Sequence, residues 1–474
     1  MIGFDGERLA AAAGAEVAAR GGKGFPVATT IDSRQVGEGD LFVGLPGEKA
    51  DGGQFARDAL SAGAWGALVG RQWARELAAQ WGRIGGSGGW IIGADDPLAA
   101  LQRLAREWRR ELGCKVVGIT GSTGKTSVKD ICRAILPVAT HASPENYNTQ
   151  VGLPLAILGA PPETEALVLE MGMRGPGQIA ELCKIAEPDV GVITNVGPVH
   201  VELLGSIEAI AAAKAEIFAG VVERGVAVVP ADAGALAPHL DGSVSPAPAA
   251  GVRLLRIGGG GDVYASEVTT DGAETSAVIA TPADRQRFIL PFGEAYNLDN
   301  ALAAVAVGVA VRMPLERMAQ RAPGIVFSRL RGEIVELPGG AILINDCYNA
   351  NPVSMWAALD HLGRLPAEGR RLAVLGEMRE LGPGAPRFHR EVGRHAREVG
   401  VEVLIGVGEL GREYAPDREV TDAEAAAEAL AGELRSGDAV LVKGSRAVGL
   451  ERVGEALRAA ETKAFPGAEP RRRR

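Results

Sequence analysis

Short apolar runs alternate with helix-like segments over most of this chain. A run of this kind, with few polar positions inside it, is typical of a parallel strand that is covered on both faces. Amphipathic stretches, with apolar residues three and four apart, separate the runs and predict helices between the strands. The pattern predicts strands at 114–119, 166–169, 190–194, 226–229, 341–345, 372–375, 403–407 and 439–442.

This alternation divides the chain into three α/β domains and a tail. Residues 1–111 mix short strands and helices, and residues 112–325 form a central unit with a mostly parallel sheet. We expect an antiparallel excursion at 263–290, and residues 326–461 repeat the alternation as a doubly wound, Rossmann-like domain. We call these the N-terminal, central and C-terminal domains, and we expect residues 462–474 to be a flexible tail.

The composition narrows the classes of function. Apolar residues make up 46% of the chain and charged residues 23%, as in globular proteins, and a net charge of −9 argues against a nucleic-acid partner. The longest apolar stretch, 301–311, is shorter than the roughly 20 residues that cross a bilayer. Residues 1–20 carry acidic side chains in a helix-like pattern, which opposes a secretory signal, and the four cysteines lack metal-site spacing. We expect a cytoplasmic protein without a membrane partner.

A glycine-rich turn joins the first strand of the central domain to its first helix. It contains Gly118, Thr120, Gly121, Ser122, Thr123, Gly124, Lys125 and Thr126. The N–H groups of such a turn can surround a phosphate, while the lysine binds the β- and γ-phosphates and the threonine hydroxyl binds Mg²⁺. Ile119 occupies the position of the first glycine of the common motif, so the spacing indicates a subclass of this phosphate loop. The turn predicts ATP binding, and the alternative is a glycine turn with a chance Gly-Lys-Thr.

Two polar residues follow other strands of the same sheet. Glu170 ends the strand at 166–169, where a carboxylate can complete the Mg²⁺ shell begun by Thr126; otherwise it is a helix-capping or surface acid. His200 follows the strand at 190–194 and can bind a metal or orient a phosphate, although a lone histidine is more often structural.

Lys214 lies on the apolar stripe of a predicted helix at 206–222, between Ile210 and Ile217. Nine of the 50 basic residues are lysine, which strengthens the expectation that a given lysine performs chemistry that arginine cannot; the alternative is a leftover lysine, as we expect for Lys23 and Lys463. A lysine that faces a core shifts toward its neutral form, and a neutral amine can react with CO₂ to give a carbamate, which could bind a second Mg²⁺. The alternative is a lysine that extends along the helix to solvent.

Polar residues also mark a helix start and three further loops. Asn297 and Asn300, one helical turn apart, can bind a base or ribose, or they can cap the helix. In the C-terminal domain the loop at 346–352 follows a strand and is dense in polar groups. Together with the strand-end segments 376–378 and 443–446, it predicts a site that faces the ATP-binding domain.

These features resemble the Mur ligases, the ATP-dependent amide ligases of peptidoglycan precursor synthesis. The resemblance covers all three domains and includes the glycine spacing of the phosphate loop and the order of Glu170, His200 and Lys214. The segment Asp346-Cys347-Tyr348-Asn349-Ala350-Asn351-Pro352 is similar to that of the member that adds D-alanyl-D-alanine, whereas members that add single amino acids typically have a His-containing loop there. Gly53 and Tyr296 stand where relatives often carry histidine.

The resemblance implies roles for individual residues. Lys125, Glu170, His200 and Lys214 would be catalytic, and Thr126, Glu170, His200 and carbamylated Lys214 would support two Mg²⁺ ions. ATP would contact the phosphate loop from Gly118 to Thr126 together with Asn297, Asn300, Arg331 and Asp346. The substrate-binding set would be Ser33, Arg34, Lys49, Asp51, Asn148, Thr149, Tyr348, Asn349, Asn351, Lys443 and Ser445.

The activity that the resemblance implies is the ligation of D-alanyl-D-alanine to UDP-N-acetylmuramoyl-tripeptide by a monomer. The tripeptide carboxylate would take the γ-phosphate of ATP to form an acyl phosphate, which the dipeptide amine would then attack. The alternatives are a sister ligase that adds a single amino acid, a ligase similar to folylpolyglutamate synthase, and a nucleotide-dependent switch protein without ligase chemistry.

Overall fold

The computed structural model describes residues 1, 3–81, 89–199, 201–271, 273–337, 339–365, 368–464 and 471–472. His200 lies outside the described residues, as do residues 465–470 and 473–474 of the expected tail. The rest of the chain forms separate sheets in successive segments, with helices packed against them, which confirms the α/β class.

The N-terminal domain is a mixed sheet in the strand order β1-β5-β4-β3-β2, with β1 antiparallel to β5 and the other neighbours parallel. Its first strand lies within residues 1–20, so the helix-like pattern of this segment holds only for its first part. The strands are β1 (Glu16–Ala19), β2 (Thr29–Thr30), β3 (Leu41–Val43), β4 (Gly66–Gly70) and β5 (Trp90–Ala94). The helices are α1 (Gly6–Ala13), α2 (Ala56–Ser61), α3 (Arg71–Trp81) and α4 (Pro97–Leu112).

The main sheet of the central domain is parallel throughout, in the order β11-β10-β9-β6-β8-β7. Its strands are β6 (Lys115–Thr120), β7 (Thr140–Ala142), β8 (Ala166–Glu170), β9 (Val190–Ile193), β10 (Val226–Pro230) and β11 (Arg253–Ile257). Its helices are α5 (Lys125–Ile135), α6 (Gly152–Leu158), α7 (Gln178–Ala186), α8 (Val201–Leu204), α9 (Ile207–Gly220) and α10 (Ala237–Leu240).

The expected antiparallel excursion is present after this sheet. Strands β12 (Tyr264–Thr270), β13 (Thr275–Ala280) and β14 (Arg285–Leu290) pair antiparallel, and helices α11 (Ala295–Ala310) and α12 (Leu315–Arg321) follow. Helix α11 packs against α5, so the residues at its start lie beside the phosphate loop.

The C-terminal domain has the strand order β19-β18-β17-β20-β16-β15-β21, with antiparallel pairing where β15 meets β16 and β21. Its strands are β15 (Glu333–Glu336), β16 (Ile342–Asn345), β17 (Arg371–Gly376), β18 (Val403–Val407), β19 (Arg418–Val420), β20 (Ala439–Lys443) and β21 (Arg471–Arg472). Its helices are α13 (Pro352–Arg364), α14 (Ala385–Glu398), α15 (Ala423–Glu433) and α16 (Glu451–Ala464). The segment expected to be a flexible tail thus contributes the end of α16 and the strand β21.

One apolar core joins the N-terminal and central domains. Phe4 and Trp108 pack edge to face, 5.7 Å apart, in a cluster that also contains Leu153 of α6. The indole N–H of Trp108 donates to the carbonyl of Ala160 at 3.2 Å. Shared burial of this kind fixes the N-terminal domain on the central one. Among the described helices, none is both long and apolar enough to cross a membrane.

Candidate active site

A cleft of about 1320 Å³ lies between the central and C-terminal domains. The carboxyl ends of parallel strands open into it from both sides: β6, β8 and β9 from one sheet, β16 and β20 from the other. Ligands of open α/β sheets bind at this edge. The cleft therefore brings together the two groups of strand-end residues that the sequence predicted to face each other.

The phosphate loop between β6 and α5 is held by the segment that follows β9. The N–H groups of Ser122 and Thr123 donate to the backbone and side-chain oxygens of Asn195, at 3.1 and 3.0 Å. Asn195 Nδ2 donates in turn to Thr123 Oγ1 at 2.6 Å, and the Ser122 hydroxyl is paired with Gly197. These contacts occupy two loop amides. The donors that remain for an anion are the N–H groups in the first turn of α5, which have no partner within the helix.

Two glycines allow the loop to approach its neighbours. Gly121 has φ 152° and Gly124 has φ 80°, conformations that favour glycine. A Cβ atom on Gly121 would lie 1.8 Å from Thr194 Oγ1, and one on Gly124 would lie 2.3 Å from Asn300 Oδ1. The loop geometry thus depends on both glycines.

Lys125 and Thr126 begin α5 and face the cleft. Lys125 Nζ donates to the carbonyl of Gly121 at 2.7 Å. Burial lowers the pKa of Lys125 to about 8; Glu170 opposes this shift and Arg331 adds to it. The ammonium is therefore still mostly protonated at neutral pH, as binding of phosphate requires.

Glu170 is buried at the end of β8, beside the start of α5. The Thr126 hydroxyl donates to Glu170 Oε2 at 3.1 Å, while Glu170 Oε1 is buried and accepts no hydrogen bond. A helix-capping or surface role is therefore wrong for this carboxylate. Its contact with Thr126 agrees with the pairing expected from the sequence.

Lys214 is 2% exposed, within the buried face of α9 and at the wall of the cleft. The buried position predicted from the apolar stripe is confirmed, and a side chain extending to solvent is excluded. Burial lowers the pKa of Lys214 far below its usual value, and the charge of Lys125 adds to this effect. Among the described residues, no carboxylate opposes this shift.

Asn297 and Asn300 lie inside α11 and do not cap it, because Glu294 holds the N-cap position. The capping alternative is therefore wrong. Both side chains are buried at the cleft: Asn300 Nδ2 donates to Asn297 Oδ1 at 3.0 Å, and Asn297 Nδ2 donates to Glu294 Oε2 at 3.4 Å. Burial raises the pKa of Glu294, and Tyr296 lines the same wall of the cleft.

The C-terminal side of the cleft contains an ion pair whose lysine is buried. Lys443 Nζ lies 2.6 Å from Asp346 Oδ2 and also donates to the carbonyl of Asn349 at 3.0 Å. The Arg331 guanidinium lies 4.0 Å above the ring of Tyr348, whose hydroxyl donates to Asn146 of the central domain. These contacts tie the 346–352 loop to β20, to the start of the domain and to the opposite wall.

Other predicted site residues line the cleft while also fixing local backbone. Asn351 caps α13 in a reciprocal pair with Ser354, and Asn349 Oδ1 accepts the N–H of Ala350 at 2.9 Å. The Ser445 hydroxyl accepts the N–H of Arg379 at 3.0 Å. On the central side, the Asn148 carbonyl accepts the N–H of Gly172 at 2.9 Å, and Thr149 Oγ1 accepts the N–H of Gly152 at 3.2 Å.

The structure does not bring every predicted residue to this cleft. Gly118 and Thr120 lie within β6, before the lining begins at Gly121. The N-terminal set lies on loops of its own domain: Ser33 and Arg34 in a short 3-10 turn with an Arg34–Asp32 ion pair of 2.8 Å, and Lys49 and Asp51 on the loop after β3. His200 lies outside the described residues.

Sequence reasoning missed Lys129 and Asp130, two buried charged residues of α5. Both are almost fully buried, and Lys129 Nζ lies 3.2 Å from Asp130 Oδ1 and 3.5 Å from Glu170 Oε1. The available signal was the scarcity of lysine, together with a spacing of four residues from Lys125. Asn195 was also missed as the residue that fixes the loop.

Family models match most of the chain. A Mur ligase middle domain matches residues 119–308, a Mur ligase glutamate ligase domain matches residues 330–446, and a Mur ligase family catalytic domain matches residues 28–76.

Individual relatives match over nearly the whole length. The UDP-N-acetylmuramoyl-tripeptide–D-alanyl-D-alanine ligase of Bacillus subtilis is 34% identical over 434 residues, covering 89% of this chain and 91% of the relative. A crystal structure of MurF from Acinetobacter baumannii superposes with a TM-score of 0.83 at 26% identity, over 96% of this chain and 99% of that one. The structure of MurF ligase from Thermotoga maritima in complex with ADP gives 0.80 at 30% identity, over 92% and 98%.

Proposed function

Because this chain belongs to the Mur ligase family, we propose that it joins D-alanyl-D-alanine to UDP-N-acetylmuramoyl-tripeptide at the expense of ATP, in peptidoglycan precursor synthesis. The observation that carries the proposal is the cleft, in which the phosphate loop faces the 346–352 loop of the C-terminal domain. An ATP-dependent ligation needs both walls of the cleft, since the acid is activated by the phosphate of ATP and the amine must then reach the activated acid.

The residues beside Thr126 fit Mg²⁺. Glu170 offers a buried oxygen that accepts no hydrogen bond, and the Thr126 hydroxyl lies against the other oxygen of the same carboxylate. Since no three His, Cys, Asp or Glu side chains cluster in the described ranges, the ion would take its remaining ligands from phosphates and water, as Mg²⁺ commonly does. When bound, Mg²⁺ neutralises charge on the phosphate oxygens.

The protein's own groups position the reactants. Lys125 and the first-turn N–H groups of α5 bind the phosphates, and Asn297, Asn300, Arg331 and Asp346 contact the adenosine. The tripeptide carboxylate attacks the γ-phosphorus and ADP leaves, giving an acyl phosphate. The dipeptide amine then attacks the acyl carbon, loses a proton and expels phosphate. Apposition of the domains excludes water that would hydrolyse the acyl phosphate.

Lys214 is proposed to react with CO₂ as its neutral amine. The nitrogen forms a bond to the carbon of CO₂ and loses a proton, so that a carbamate replaces a buried amine. Burial supports this step, since it favours the neutral amine. The carbamate and His200 would support the second Mg²⁺.

The UDP-linked substrate is proposed to extend from the cleft to Ser33, Arg34, Lys49 and Asp51 of the N-terminal domain. Near its sugar and peptide it would contact Asn148 and Thr149, and the dipeptide would contact Tyr348, Asn349, Asn351, Lys443 and Ser445. We propose that the enzyme acts as a monomer in the cytoplasm, and its free, buried cysteines support the cytoplasmic location.

An acceptor panel tests the proposal. Purified protein, ATP, Mg²⁺ and UDP-N-acetylmuramoyl-tripeptide are combined with D-alanyl-D-alanine, with single amino acids or with no amine, and phosphate release and the product mass are measured. We expect phosphate release and a product with a new amide bond only when the dipeptide is present. Preference for a single amino acid would favour a sister ligase, and slow turnover that no amine accelerates would favour a switch protein.

A further inference from the structure

Lys129 is a buried ammonium that the proposed chemistry does not use. Its side chain is 4% exposed, and those of its two carboxylate neighbours, Asp130 and Glu170, are 0% and 5% exposed. Charges are rarely buried to this extent unless they are paired, because each must give up its hydration. One ammonium thus compensates two carboxylates, and one of these is the proposed Mg²⁺ ligand.

Asp130 extends the contact to residues 326–332, the first segment of the C-terminal domain, which joins it to the central domain and which we call the linker. Asp130 Oδ2 accepts the N–H of Ser328 at 2.7 Å. Further along the linker, the carbonyl of Leu330 accepts the N–H of Tyr348 at 3.2 Å, and Leu330 has a left-handed φ of 63°. A continuous series of polar contacts therefore runs from Glu170 through Lys129 and Asp130 to the linker.

We propose that Lys129 is a positioning residue that couples the cation bound at Glu170 to the linker through Asp130. This inference rests on the proposed function, since it takes Glu170 as the Mg²⁺ ligand. A divalent cation at Glu170 repels the neighbouring ammonium, which then pairs with Asp130 alone. Asp130 accepts the N–H of Ser328, so the occupant of the metal site biases the opening equilibrium of the linker.

The alternative is a purely structural ion pair, which would stabilise the fold but would not respond to the metal. The coupling role and the purely structural role predict different responses to the metal: a coupled linker must change its opening equilibrium when the cation binds. The exchange rate of the linker amides, Ser328 above all, reports that equilibrium directly.

The test is hydrogen exchange of the full-length protein with ADP, with and without saturating Mn²⁺, followed by mass spectrometry of peptides that span 326–332. The variants are Lys129→Met, which removes the charge, Asp130→Asn, which keeps an acceptor for Ser328, and Lys129→Arg, which restores a cation. Lys184→Met, an exposed lysine of α7, is the matched control. Mn²⁺ affinity is measured for each protein by titration with electron paramagnetic resonance.

We expect Mn²⁺ to slow linker exchange about fivefold in the parent protein and in Lys184→Met, within the usual range for coupled sites. Lys129→Met and Asp130→Asn should still bind Mn²⁺ but lose this slowing, and Lys129→Arg should recover part of it. If Lys129→Met fails to fold, Asp130→Asn gives the same reading.

Two results would overturn the inference. Full Mn²⁺-dependent slowing in Lys129→Met or Asp130→Asn would show that the linker responds by another route. A parent protein that binds Mn²⁺ with no change in linker exchange would show that there is no coupling, and it would leave the proposed ligase function intact. Unchanged Mn²⁺ affinity in Glu170→Gln would instead overturn the metal site itself.

Discussion

Replacing Gly124 with alanine tests the geometry of the nucleotide site more directly than removal of a charged group. The new Cβ would lie 2.3 Å from Asn300 Oδ1, where ordinary contacts begin near 3.4 Å. The loop backbone is fixed by Asn195, so the Asn300 side chain must move by about 1 Å, and its hydrogen bond to Asn297 is lost. We therefore expect Gly124→Ala to disturb the proposed adenosine contacts without removing any phosphate ligand.

The size of the effect follows from two terms. Alanine in the left-handed region costs about 1–2 kcal/mol of stability, and the lost amide pair costs about 1 kcal/mol more. A displacement of about 1 Å at a positioning residue can reduce kcat/KM by about a hundredfold, which corresponds to about 2.7 kcal/mol. Stability should thus fall by about 2–3 kcal/mol in denaturant unfolding, and ADP binding should weaken in calorimetric titration.

Gly113→Ala is the matched control. Gly113 also has a left-handed φ, 58°, but a Cβ there meets nothing within 4 Å. The Gly113→Ala variant should lose about 1–2 kcal/mol of stability, the cost of the left-handed backbone alone, and should bind ADP normally. If Gly124→Ala binds ADP as the parent does, or if Gly113→Ala weakens binding equally, then the contact between the phosphate loop and Asn300 does not position the nucleotide.

Three further predictions concern single side chains. Lys214→Ala and Lys214→Arg should each reduce ligation at least about a thousandfold in the phosphate-release assay, since neither can form the carbamate; an active arginine variant would refute that role. Burial lowers the pKa of His361 from 6.5 to about 4, so the unfolded chain takes up the proton first and stability falls as the pH drops from about 6.5 to 4. The loss is up to about 3 kcal/mol; urea unfolding of His361→Phe should lack it, and the same acid loss in that variant would contradict the assignment. Tyr348→Phe removes the hydrogen bond to Asn146 across the cleft and should widen the average separation of the two walls in small-angle scattering of the free protein, whereas an unchanged profile would mean that this contact does not hold the cleft.

The fold was largely predictable because its strands are buried on both faces. Such strands are continuous apolar runs, and each predicted run lies within a residue or two of an observed strand. The short strands β7, β15 and β19 were not predicted, since they are three or four residues long and carry polar positions. The pairing of β21 with β15 joins residues that are far apart in sequence, and no local pattern encodes it.

The residues of the site can likewise be separated into those that the sequence predicts and those that it does not. The positions of Glu170 and Lys125 are predictable because one ends a strand and the other begins a helix. The groups that they contact also lie close to them in the fold. The contacts of Asp130 with Ser328 and of Tyr348 with Asn146 join residues about 200 positions apart, so they depend on how the two domains meet. Sequence patterns describe each domain separately and are silent on that relation.

In this chain, the use of lysine instead of arginine says more about the function of a basic residue than the residue's position in the sequence does. Lys23, Lys49, Lys115 and Lys184 are exposed, whereas Lys125, Lys129, Lys214 and Lys443 are in the cleft wall or contact a carboxylate there. Arginine is planar, remains protonated and needs room for five donors, so it fits poorly between two buried carboxylates and cannot replace an amine that must lose its proton. In a chain that uses arginine for most of its positive charges, selection for these properties leaves lysine where the chemistry requires it. The same reasoning that singled out Lys214 therefore applies to Lys129, and it gives the buried ammonium beside Glu170 a role that a surface charge could not fill.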